Sequence, residues 1–161
     1  MQVWFANVWL SLPGERWRDI TDTLPTGSPP TLAWEKGIGA LQFSVGLYSG
    51  GPRPNIDTKA LERLLYYFEE AQGFERISQA NPWQNDRILG LSCDYSNDSQ
   101  SIRVWYCTDG GNIAFITFVT GQISAEVQNQ ELFEADLIVR SLRFKEITPA
   151  PPSQEHAPPL Q

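Results

Sequence analysis

The segment "IRVWYCTDGGNIAFITFVTG", residues 102–121, sets Cys107, Asp109 and the pair Gly110-Gly111 side by side. A thiol beside a carboxylate and a glycine loop could be a nucleophile next to a phosphate cradle. A cysteine nucleophile, however, needs a base or a cation to form its thiolate. The only histidine is His156, in a proline-rich tail. A Cys–His dyad would have to recruit that tail, so catalysis by Cys107 is disfavoured. Asp-Gly-Gly-Asn is also a good tight turn between two β-strands, with both glycines expected at positive φ. The hairpin is the preferred reading.

Other chemistry finds no better foothold. There is no C-x-x-C, H-E-x-x-H or calcium-type acidic loop, so no metal or cofactor is expected. "KGIGAL" holds a lone G-x-G without a third glycine and reads as a turn. Glu69-Glu70 falls on a helix face as solvated charge. The acids outnumber the bases 19 to 12, for a net charge of −7. That balance argues against a nucleic-acid partner, and suits solubility or a basic protein partner. The apolar start "MQVWFANVWLSLPGERW" lacks a basic leader and breaks at Pro13-Gly14. It reads as neither signal peptide nor membrane span, and a cytoplasmic location is expected. Two cysteines do not make a disulfide framework.

The elements that position these residues follow from periodicity. Residues 1–12 are apolar at both alternating sets and suggest one interior strand, with Trp4 and Trp9 in the core. "TLAWEK" and "ALQFSVGLYS" suggest a strand pair around Lys36–Gly39. Asp57 caps a helix with apolar Leu61, Leu64, Leu65, Phe68 and Ala71, and Gly73 stops it. Residues 87–96, 101–108 and 112–120 form a meander. Its turns set Asp94 opposite Arg103, Ser92 opposite Trp105, Trp105 opposite Ile116, and Cys107 opposite Ala114. A second helix over about 126–140 and an extended "SLRF" follow. Residues 1–147 are read as one α+β domain, an antiparallel sheet flanked by helices. Residues 148–161, rich in proline, are expected to be disordered.

Alternation gives the meander one core face, with Leu91, Cys93, Tyr95, Val104 and Tyr106. The other face mixes Asp94 and Arg103 with Trp105, Ile116 and Phe118. Either the second helix covers that patch, which is preferred, or a partner does. Trp17 and Trp83 fall in expected loops. Trp83 in "NPWQND", beside Asp86, is the candidate interface anchor, with core packing the alternative.

The pattern "VWLSLPGERWRDIT", the strand "ALQFSVGLYSGG", the helix, the meander and the ending "EADLIVRSLRF" resemble the PsbP-like and DcrB-like domains. The resemblance implies a non-catalytic protein-binding fold, either monomeric or a small homo-oligomer. Its partner would be a toxin, with this chain as immunity protein, or a secreted effector of a type VI system, with this chain as adaptor. An enzyme of unfamiliar type is the alternative of another class.

Overall fold

A computed structural model describes residues 1–121 and 125–145. The first twelve residues do not form one interior strand. They fold into a hairpin of β1 (Gln2–Phe5) and β2 (Val8–Ser11). Ala6 and Asn7 make the turn at φ of 53° and 66°. Two left-handed residues in succession match the twist of a two-residue hairpin, and Asn tolerates that region. The turn explains the apparent two-faced apolarity. One face of the hairpin buries Val8 and Leu10, while the other leaves Trp4 45% and Trp9 40% exposed, in edge-to-face contact 5.1 Å apart.

Next come β3 (Trp17–Asp19), β4 (Thr31–Trp34) and β5 (Gly39–Gly46). Trp17, expected in a loop, pairs with Trp34 and is buried. Helix α1 (Thr58–Gln72) begins where the Asp57 carboxylate accepts from the Ala60 N–H at 2.9 Å. It ends at Gly73, at φ 67°, as its sequence predicts. Short strands β6 (Glu75–Arg76) and β7 (Asn81–Gln84) follow, so Trp83 belongs to a strand and not to a loop. The meander is β8 (Leu89–Ser96), β9 (Gln100–Thr108) and β10 (Ile113–Gly121). The expected pairs Asp94–Arg103, Ser92–Trp105, Trp105–Ile116 and Cys107–Ala114 are all present. Helix α2 (Ala125–Arg140) and β11 (Arg143–Phe144) complete the described chain. The proline-rich tail, with His156, lies outside the described residues.

All pairings are antiparallel. An eight-stranded sheet runs β3-β4-β5-β10-β9-β8-β6, with β7 also on β8, and a three-stranded sheet runs β1-β2-β11. Helix α1 packs Leu61 and Leu65 on the face with Leu91, Tyr95 and Val104. On the opposite face, Ile138 and Val139 of α2 join the inner side of the small sheet over Trp105, Ile116 and Phe118. These three side chains are buried, which settles the mixed face as covered. Cys93 and Cys107 sit in these two separate cores as free thiols.

Two strand glycines accommodate aromatic rings. A Cβ on Gly90 would stand 2.2 Å from the Trp83 ring, and one on Gly39 would stand 2.2 Å from the Phe118 ring. Trp83 is the cross-strand partner of Gly90, so the indole covers the backbone that glycine leaves bare. The turn before β5 is held from α2. The buried Glu131 carboxylate accepts from the Ile38 N–H at 2.9 and 3.2 Å and from the Gly39 N–H at 3.1 Å. Among the described residues no helix is long and apolar enough to cross a membrane.

Candidate functional site: a cationic cleft beside an exposed tryptophan pair

The opening hairpin is structural. Of its two glycines only Gly110 takes positive φ, at 100°. Gly111 instead lies under the Arg53 side chain: a Cβ there would meet Arg53 Nε at 2.8 Å. The Asp109 carboxylate is taken up by the turn, accepting from the N–H groups of Gly111 and Asn112 at 3.0 and 2.7 Å and from the Asn112 side-chain amide at 2.9 Å. Cys107 is fully enclosed. Burial pushes its thiol well above the ordinary range, with the Asp136 carboxylate adding to the effect. It stays a protonated thiol at neutral pH, so it lacks the form that attacks.

The residues singled out from sequence do not assemble into a surface. Trp105, Ile116 and Phe118 lie beneath α2 and cannot touch a partner in the folded chain. Trp83 is half-buried, with its ring packed on Gly90 and the Arg140 guanidinium 4.7 Å from the ring centre. Arg140 in turn donates to Asp136 at 2.7 Å, and Asp136 accepts from the Trp105 indole N–H at 3.0 Å. Trp83 is therefore the outer member of a packing network. Only Asp86 is exposed, in the β7–β8 turn.

That turn borders an open cleft of about 760 Å³. One wall is β11, contributing Arg143 and Phe144, with Lys145 just after it. Asp86 and Arg87 stand on the second wall, and Arg53 with Asp109 on the third. Trp9 lines it from the outer face of the small sheet, where it pairs with Arg143 in the strand register. Four of the chain's twelve basic residues thus gather around one opening of an acidic protein, facing two carboxylates. Asp109 is already engaged by its own turn and by Arg53, whose guanidinium is 3.8 Å away. Arg87 and Lys145 have no ion-pair partner among the described residues, so the cleft carries a positive field.

The walls are fixed by local chemistry. The Asn85 side-chain oxygen accepts from the N–H groups of Arg87 and Ile88, both at 3.0 Å. Its amide donates to the Arg140 carbonyl at 2.9 Å, tying the turn to the end of α2. Arg53 donates to the Asp109 carbonyl at 3.2 Å, and the Ile56 N–H to the Gly110 carbonyl at 3.0 Å. Arg143 donates to the Gln2 side-chain oxygen at 3.0 Å. Sequence reasoning missed this site because its members lie at 9, 53, 86–87, 109 and 143–145. Only the fold brings them together.

The fold is similar to a known solved architecture. The solution structure of cyanobacterial PsbP (CyanoP) from Synechocystis sp. PCC 6803 superposes with a TM-score of 0.53. The match covers 87% of this chain and 88% of that one, at 15% sequence identity. The fold is PsbP-like. At this identity the likeness speaks for the PsbP-like architecture alone. No family model matches the sequence, and no curated protein does either.

A second surface is aromatic and mixed in charge. On the outer face of α1, Tyr66 and Tyr67 are 56% and 64% exposed and contact each other edge to face at 6.0 Å. Glu62 and Glu70 flank Tyr66 at helical spacing, and Lys59 and Arg63 precede Tyr67 in the same way.

Proposed function

We propose that this chain is a protein-binding domain whose partner docks over Trp9 and the cationic cleft, with Trp4 at the margin. The observation that carries the reading is the meeting of an exposed tryptophan pair with a cluster of arginines on fixed walls. Trp and Arg are the residue types that dominate binding energy at protein interfaces. Fixed walls reduce the ordering cost of association. The chemistry of the cleft supports binding over catalysis. Guanidinium groups stay protonated and cannot serve as bases, the oxygens of Asp109 are taken up by its turn, and Asp86 is exposed to solvent. The positive field favours an acidic partner surface at this site over a basic one.

The immunity-type reading, with a basic toxin as partner, rests on a different observation. The net charge is −7, and Tyr66 of the Tyr66–Tyr67 pair lies between two glutamates. The two readings place the partner on different surfaces. Affinity capture with the wild-type chain, identification of the retained protein and titration of the purified pair distinguish them. On the cleft reading, Trp9→Ala weakens the purified pair by about tenfold or more with the fold intact. Unchanged affinity for Trp9→Ala, with loss for Tyr66→Ala, would move the site to α1.

A further inference from the structure

The cleft has a feature that its charges do not by themselves explain: one of its walls is an open strand edge. Among the described residues β11 is the terminal strand of the small sheet and pairs only with β2. Arg143, Phe144 and Lys145, which make up β11 and its exit, all line the cleft. A terminal strand presents main-chain N–H and C=O groups on its free side, a template for one more strand.

We propose that the cleft receives an extended acidic segment of a partner protein, which adds as a strand to the free edge of β11 and pairs its carboxylates with Arg87, Arg143 and Lys145. The proposal rests on the binding reading above and names the kind of segment bound. Side chains on one face of a strand recur about every 7 Å. A segment with acids at alternate positions therefore turns all its carboxylates to one side. Arg87 across the opening and Lys145 on the same wall have no competing ion pair among the described residues, so their charge is available to a ligand. Arg143 is held by Gln2 through one nitrogen, and its remaining donors can take a carboxylate. Trp9, opposite Arg143 in the register and on the same face, offers a flat apolar surface beside the acidic set. The cleft volume lies within the usual range for ligand sites, about 300–1,000 Å³.

The test uses the full chain and a capped octapeptide of alternating valine and glutamate, titrated by calorimetry and followed by amide chemical shifts. Four probes accompany it: the glutamine counterpart, the same acidic peptide N-methylated at alternate residues, inorganic phosphate, and a single-stranded oligonucleotide. The expected result is saturable binding of the acidic peptide with amide shifts at 143–145. The glutamine and N-methylated peptides should bind about tenfold or more weakly. Arg87→Ala and Lys145→Ala should each weaken binding several-fold while leaving the melting temperature unchanged, since neither side chain is engaged in the fold.

Equal binding of the N-methylated peptide would overturn strand addition. Equal binding of the glutamine peptide would overturn the acidic requirement. Phosphate competing at similar concentration would reduce the site to a simple anion site, and tighter binding of a single-stranded oligonucleotide would assign it to nucleic acid. If no peptide binds while the captured partner still depends on Trp9, strand addition fails and the binding reading stands. If Trp9 is also dispensable, both fail.

Discussion

Glu131 is a sensitive test of how the fold is held around β5. Its buried carboxylate is the acceptor for two main-chain N–H groups, those of Ile38 and Gly39, at the turn that leads into β5. Gly37 leaves room for it: a Cβ there would stand 2.9 Å from one carboxylate oxygen. Glu131→Ala removes both acceptors at once. Each orphaned buried donor costs roughly 1–3 kcal/mol. Both amides belong to half-buried residues, so water recovers part of that loss. A net cost of about 3 kcal/mol follows, or a melting temperature lower by roughly 6–12 °C for a chain of this size. Glu131→Gln keeps one acceptor oxygen but gives up charge assistance and turns an NH2 group toward two donors, so its loss should be intermediate. The assays are thermal melting and amide hydrogen exchange. In Glu131→Ala the Ile38 and Gly39 amides should exchange much faster while the β9–β10 ladder stays protected. Melting temperatures within about 1 °C of wild type, with unchanged exchange at 38 and 39, would show that Glu131 does not hold this turn.

Trp83→Ala should destabilise the chain by about 2–3 kcal/mol, part of the cost of a fully buried tryptophan, because the indole covers Gly90 and carries Arg140; urea unfolding checks it. Gly90→Ala should cost about 1–3 kcal/mol in the same assay, since the new methyl meets the Trp83 ring. Stability should fall as pH rises above about 9. Burial and the hydrogen bond to Glu69 raise the Tyr95 hydroxyl above its ordinary value, and burial raises the Cys107 thiol. The unfolded chain then releases protons that the folded chain retains, at up to about 1.4 kcal/mol per pH unit for each group. Urea midpoints from pH 8 to 11 should decline, and less steeply in Tyr95→Phe. Both cysteines should resist a thiol reagent under native conditions and react fully in denaturant without reductant, as two enclosed free thiols require.

The sequence makes much of the frame legible because its signals there are local. Asp57, the apolar spacing of Leu61, Leu64 and Leu65, and Gly73 define α1 from within fifteen residues or so of chain. The tight turns at 97–100 and 109–112 fix the meander register, and register fixes which residues share a face. The misreadings come from weaker local signals. The Ala6-Asn7 turn has no glycine or proline, so residues 1–12 look continuous. Strands β3 and β7 are three and four residues long, and Pro82 inside β7 is tolerated there because it is an edge strand. Trp83 read as an anchor because its neighbours Asn81, Gln84 and Asp86 are polar, while its covering groups, Gly90 and Arg140, arrive from other elements. The Glu131 clamp spans 93 residues in sequence, and the cleft spans more. Net charge misleads about the site for a related reason: a chain of −7 can still gather four cations at one opening.

The proposed binding surface is the cleft at Trp9, Arg87 and Arg143. Hydrogen-exchange footprinting of the full chain bound to its captured, purified partner measures this directly. The expected result is protection confined to β2, the β7–β8 turn and residues 143–145, strongest at the β11 amides. Protection centred on Tyr66 and Tyr67 of α1, with β11 unchanged, would contradict it.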